Sequence, residues 1–179
     1  MKISNFGVAE DTRYVASPYC DFRPNEADLS LIVIHSISLP PEEFSGHFVE
    51  DLFTGILNWD GHPYFQSIRG IKVSAHFFIR RSGELIQFVP CNRRAWHAGV
   101  SIWQGRERCN DFSIGIELEG TDHTPFSEPQ YQRLGLLVRA LETRYNITAI
   151  VGHSDISPGR KSDPGTGFEW DRARLRRTG

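Results

Sequence analysis

Leu29-Ser-Leu-Ile-Val-Ile34 constrains this chain more than any other stretch. The run has almost no polar alternation, so as a strand it must be covered on both faces, as strands inside a parallel or mixed sheet are. It stops at His35, which places an imidazole at the rim of a sheet. Rims of this kind hold functional side chains well, because the strand behind them is rigid.

A second strand is as legible. Ser113-Ile-Gly-Ile-Glu-Leu-Glu119 alternates, with Ile114, Ile116 and Leu118 on one face and Ser113, Gly115, Glu117 and Glu119 on the other. Small residues followed by carboxylates suit the floor of a pocket. Segments 73–80 and 84–89 read as strands joined at Arg81-Ser-Gly83 by a hairpin turn. A short strand at 147–151 runs into Gly152-His153. Ser127-Glu-Pro-Gln130 has the form of a capping box, followed at helical spacing by Tyr131, Leu134, Leu137, Val138, Leu141 and Tyr145. Further helices are expected over 42–53, started by Pro41, and over 168–176, with a long loop at 58–69. Helices and strands are interspersed and one hairpin is antiparallel. The expected fold is therefore α/β, a mixed central β-sheet flanked by helices.

The 179 residues suit one domain, 1–179, better than two cramped ones. A formal charge of -2 gives no electrostatic case for nucleic acid or an anionic membrane, and no apolar run is long enough to span a bilayer. The basic stretch from Arg172 to Arg177 reads as a solvated helix face. The first residues form no apolar core of signal-peptide length, and Cys20, Cys91 and Cys109 are odd in number with no C-x-x-C pair. These features predict a cytoplasmic protein with reduced thiols.

His153 also ends an apolar strand, and Asp163 follows ten residues later across a loop containing Pro158 and Gly159. Two imidazoles and a carboxylate with one open position are the ligand types of hydrolytic zinc sites. Spacing alone does not separate such a set from histidines satisfied in a core or at the surface.

Longer motifs go further. They are His35-Ser-Ile-Ser-Leu-Pro-Pro, Val73-Ser-Ala-His-Phe, Arg94-Ala-Trp-His-Ala-Gly99, the stretch Gly105-Arg-Glu-Arg-Cys-Asn-Asp-Phe-Ser-Ile-Gly-Ile-Glu-Leu-Glu-Gly-Thr-Asp122, and Arg160-Lys-Ser-Asp-Pro-Gly165. In this order, over nearly the whole chain, the sequence resembles the zinc amidases that share the fold of peptidoglycan recognition proteins. It is most similar to their cytoplasmic cell-wall-recycling form, which cleaves the lactyl–L-alanine amide of 1,6-anhydro-N-acetylmuramyl peptides.

The resemblance implies one Zn2+ per chain held by His35, His153 and Asp163, with Glu117 as the catalytic carboxylate and Lys161 as the catalytic lysine. It implies a muropeptide substrate and no obligate protein partner. Tyr64 and Trp96 are expected to present ring faces to substrate, Arg108 to clamp a stem carboxylate, and His97 to contact substrate or back a ligand. Asn110 is expected to help shape the site. One position departs from the family: Ser36 stands where asparagine commonly follows the first zinc histidine, which alters one substrate contact.

Among the remaining candidates, His76 reads as an interior histidine, while His47, His62 and His123 read as structural or exposed. Glu119 reads as an orienting or structural group rather than the base. Cys109 lacks the activating histidine that a thiol nucleophile needs. The rival readings are a non-catalytic peptidoglycan-fragment binding module of the same fold, an amidase acting on polymeric wall outside the cytoplasm, and a cysteine hydrolase.

Overall fold

The computed structural model describes residues 1–44 and 46–172. In chain order its strands are β1 (Arg13–Tyr14), β2 (Cys20–Phe22), β3 (Leu31–Ile37), β4 (Phe77–Ile79), β5 (Leu85–Gln87), β6 (Arg93–Ala95), β7 (Ile102–Trp103), β8 (Arg106–Glu107), β9 (Ser113–Glu119) and β10 (Ala149–Gly152). The helices are α1 (Phe48–Thr54), α2 (Pro63–Ser67), α3 (Glu128–Arg144) and α4 (His153–Ile156).

Six strands form the central sheet in the order β1-β5-β4-β9-β3-β10. It is parallel throughout except for the β4–β5 hairpin. The apolar run of β3 lies between two parallel neighbours, β9 and β10. Its Ile32 and Ile34 join Ile114, Ile116 and Leu118 of β9 under Leu134, Leu137, Val138 and Leu141 of α3. Leu31 and Val33 point to the opposite face, where they meet Ala98, Phe112, Val151 and Ile156. Both faces are buried, as the sequence of the run requires.

The α3 helix starts as its capping box predicts. Ser127 Oγ accepts from the Gln130 backbone N–H, and Gln130 Oε1 accepts from the Ser127 N–H at 3.0 Å.

Register decides where chemistry can occur. His35 pairs with Glu117 across β3 and β9, so the two side chains leave the sheet on the same face and in the same row. Gly152 pairs with Ile34, so His153, the next residue, arrives at the level of His35. Three polar residues therefore converge at the carboxyl ends of parallel strands, the edge where open α/β sheets hold their ligands.

Four expectations change in detail. The helix expected over 42–53 begins at Phe48: Glu42 has a left-handed backbone with φ 67°, which no α-helix accommodates, and the residues worth burying are Val49, Leu52 and Phe53. The loop expected over 58–69 contains α2, started by Pro63 at its first turn and capped by His62, whose Nδ1 accepts from the Tyr64 N–H at 3.1 Å. Within 73–80 the strand is confined to β4: Ser74 gives its N–H to Trp96 O, outside the central sheet, and His76 adds one bond to Gly115 O of β9 at the strand's entry. Residues 168–172 are not helical, since Phe168 instead packs its ring against Phe126 and Tyr131; positions 173–177 lie outside the described residues. Among the described residues no helix is long and apolar enough to cross a membrane.

Candidate active site

His35 Nδ1 and His153 Nδ1 lie 3.0 Å apart, and Asp163 Oδ2 is 3.0 Å from the first and 3.1 Å from the second. His153 presents this nitrogen because its Nε2 donates to Ala98 O at 3.0 Å, which leaves Nδ1 with the lone pair. Burial lowers the His35 pKa to about 4 despite the neighbouring Asp163, so the ring is neutral near pH 7. Neutral imidazoles and an ionised carboxylate are the forms that bind metal. Donors of a tetrahedral zinc, with bonds of about 2.0–2.1 Å, sit about 3.3 Å apart, close to the triangle these three atoms make. The donor set fits the ion.

Asp163 reaches the histidines from a loop tied to α4, where Ser154 N–H donates to Asp163 O at 2.9 Å. Gly152 lets that loop come close: a Cβ there would stand 2.8 Å from Pro164 Cδ.

Glu117 lines the same cavity and is 8% exposed, and its Oε2 has no hydrogen-bond partner. Burial pushes its carboxyl well above the usual range, helped by the charge of Asp163 and opposed by that of Lys161. A raised pKa and a free oxygen beside three convergent donors are what a proton-transfer group requires. Lys161 is exposed and lines the cavity with them.

The cavity holds about 610 Å³. One wall is apolar, with Leu39, Leu52, Phe53, Ile68 and Ile71, and Tyr64 also borders it. The other carries Thr121, Asp122 and His123. The segment 121–124 is bolted to the Asp163 loop, since Gly167 N–H donates to Asp122 O at 2.9 Å and a Cβ on Gly165 would overlap Asp122. Ser36 lines the cavity as well, its hydroxyl donating to Asp122 Oδ1 at 3.2 Å.

The structure thus brings His35, His153, Asp163, Glu117, Lys161, Tyr64 and His97 to one cavity. Trp96 and Arg108 do not line it. Trp96 is half-buried and stacked with Tyr19 at a centroid distance of 6.2 Å. Arg108 is exposed, pairs with Asp111 at 3.2 Å and borders a separate cleft with Val100, Ile156 and Arg160. Asn110 works from behind, its Oδ1 accepting from the backbone N–H groups of His97 and Ala98.

His76 is fully buried, its Nδ1 accepting from the Gly115 N–H at 3.0 Å. Glu119 accepts from the Arg81 N–H and pairs with Arg80, a structural role. Burial raises the Cys109 thiol, which opposes thiolate chemistry there. Sequence reasoning assigned no role to Thr121 or Asp122 and missed the lining role of His123; the segment is irregular, and the motif that ends at Asp122 is the feature that points to it.

The profile of the N-acetylmuramoyl-L-alanine amidase family matches residues 25–166, and the chain belongs to that family. It is 54% identical over 168 residues to the 1,6-anhydro-N-acetylmuramyl-L-alanine amidase AmpD of Enterobacter cloacae, covering 93% of this chain and 90% of that one. A crystal structure of a selenomethionine derivative of AmpD superposes with a TM-score of 0.94 at 52% identity, over 97% of this chain and 98% of that one. The Escherichia coli amidase AmiD, in complex with the substrate anhydro-N-acetylmuramic acid-L-Ala-D-gamma-Glu-L-Lys, superposes with a TM-score of 0.61 at 30% identity. That likeness covers 82% of this chain and 56% of AmiD.

Proposed function

We propose that this amidase acts as a cytoplasmic recycling enzyme, hydrolysing the amide between the lactyl group of 1,6-anhydro-N-acetylmuramic acid and L-alanine with one zinc ion held by His35, His153 and Asp163. The observation that carries the reading is the buried, unpartnered Glu117 Oε2 in register with His35. A non-catalytic binding module has no use for a buried carboxyl with an unpartnered oxygen, which costs stability on the order of 1–3 kcal/mol.

When bound, zinc supplies Lewis acidity to the amide carbonyl and makes hydroxide accessible near neutral pH. Glu117 accepts the proton of the attacking water and returns it to the departing alanine nitrogen, a role typically worth about 10²–10⁴ in rate. Lys161 holds positive charge at the cavity, where it offsets the negative charge developing on the carbonyl oxygen. Tyr64 offers a ring face beside the apolar wall.

Likeness to AmpD supports the anhydro substrate, and the AmiD complex supports a sugar with a short stem peptide. The free thiols of Cys20, Cys91 and Cys109 agree with a reducing compartment. Coverage of 93% of the chain by AmpD supports one catalytic domain over 1–179.

The test is release of stem peptide from purified anhydromuramyl peptide, compared with the same sugar lacking the anhydro bridge. Faster release from the anhydro form agrees with the reading. Equal or slower release contradicts the substrate assignment, and no release from either contradicts the enzyme.

A further inference from the structure

The two histidine ligands are braced from one short segment on the far side of the cavity. His153 Nε2 donates to the carbonyl of Ala98. His35 Nε2 stands 2.9 Å from the Nδ1 of His97, the preceding residue. His97 in turn has its Nε2 3.2 Å from Ser113 Oγ. Both residues of the brace are pinned through the backbone, where Asn110 Oδ1 accepts from His97 N–H at 3.1 Å and Ala98 N–H at 2.8 Å.

Hydrogen bookkeeping gives this arrangement a direction. If His35 offers the Nδ1 lone pair to a metal, its proton sits on Nε2 and is donated to His97 Nδ1. The neutral His97 ring then carries its own proton on Nε2 and donates it to Ser113 Oγ.

A second observation is independent of these contacts. A Cβ on Gly115 would lie 2.5 Å from His97 Cγ and 2.6 Å from its Nδ1, so the ring rests directly on the β9 backbone. Gly115 is needed for this approach, two residues before Glu117 on the same strand face.

We infer that His97, seated on Gly115 and held by Ser113 and Asn110, is a positioning residue that sets the tautomer and ring orientation of His35 for metal binding. Residues that orient a metal's ligands in this way are typically worth about 10–100-fold in metal affinity. The inference rests on the zinc reading above, and the experiment separates the two.

Zinc affinity is measured by competition with a chromophoric chelator for the wild type, H97N, H97L and G115A. The His35 tautomer is read from imidazole ¹⁵N shifts in the same proteins. In H97N the amide oxygen can take the place of Nδ1 as acceptor, whereas H97L fills the space without one. The expected result is about a 10–100-fold loss for H97L and G115A, near wild-type affinity for H97N, and an Nε2-protonated His35 in the wild type. Affinity kept by H97L and lost by H97N would show that the ring acts by packing alone and overturn the inference. Unchanged affinity in all three variants, or an Nδ1-protonated His35 in the wild type, would do the same. Should a variant fail to fold, the His35 tautomer of the metal-free wild type, where no ion imposes it, still decides. A wild type that shows the Nε2 tautomer but binds no zinc would refute the metal reading and leave the brace intact.

Discussion

Glu117 is where the demands of folding and chemistry conflict. Its carboxyl is buried, one oxygen is unpartnered, and its pKa is displaced upward. In the unfolded chain the group ionises near pH 4.5, whereas in the fold it ionises only at higher pH. Between those limits the unfolded state loses a proton that the native state keeps, so the group lowers stability as pH rises. Metal-free E117Q should therefore melt several degrees above the metal-free wild type at pH 7–8, with the gap closing by about pH 4. A gap independent of pH would remove the burial argument. The same substitution should lower turnover by about 10²–10⁴ while leaving zinc stoichiometry unchanged. These roles were legible only in part. Glu117, Lys161, His35 and Asp163 stand in motifs and His153 at the end of an apolar strand, whereas Trp96 and Arg108 stand in equally clear motifs but outside the cavity. A motif reports that a residue type recurs; it does not report which way the side chain leaves the backbone.

Secondary-structure elements differ in how plainly the sequence announces them. The legible ones carry a strong pattern of their own: β3 is a continuous apolar run, while β9 alternates and α3 repeats at helical spacing in sequence. The α2 turn and the segment 121–124 do not, because their placement is decided by distant contacts such as Gly167 N–H to Asp122 O. Two substitutions separate stability from site geometry at this scale. S127A removes the α3 cap and a hydroxyl that also donates to Arg81 O at 2.6 Å. It should cost about 1–2 kcal/mol, measured by urea unfolding, with kcat unchanged. G152A puts a methyl 2.8 Å from Pro164 Cδ in a backbone conformation that alanine accepts, with φ -85° and ψ 162°. Its effect should be displacement of the Asp163 loop and weaker zinc retention at nearly unchanged fold content by circular dichroism. Full zinc affinity in G152A would show that the loop yields without moving its ligand.

Across the whole molecule, the sheet divides the labour between its faces. The Ile32, Ile34, Ile114 and Ile116 face is sealed by α3 and contributes packing alone, while His35, Glu117 and Gly115 leave by the other. The division predicts that core damage under α3 is chemically silent: L137A should cost about 2–5 kcal/mol yet leave kcat per folded molecule at the wild-type level. The mixed sheet and its flanking helices follow from patterning alone, whereas the cavity does not. Its apolar wall is assembled from 39, 52–53 and 68–71, three segments that no local signal connects.

On the proposed mechanism, an ion held by His35, His153 and Asp163 is required for amide hydrolysis. That requirement is tested most directly by zinc content measured alongside stem-peptide release from anhydromuramyl peptide, before chelation, after it, and after zinc is returned. The expected result is one zinc per chain, with activity abolished by chelator and restored by zinc. Undiminished turnover in the zinc-free protein would contradict it.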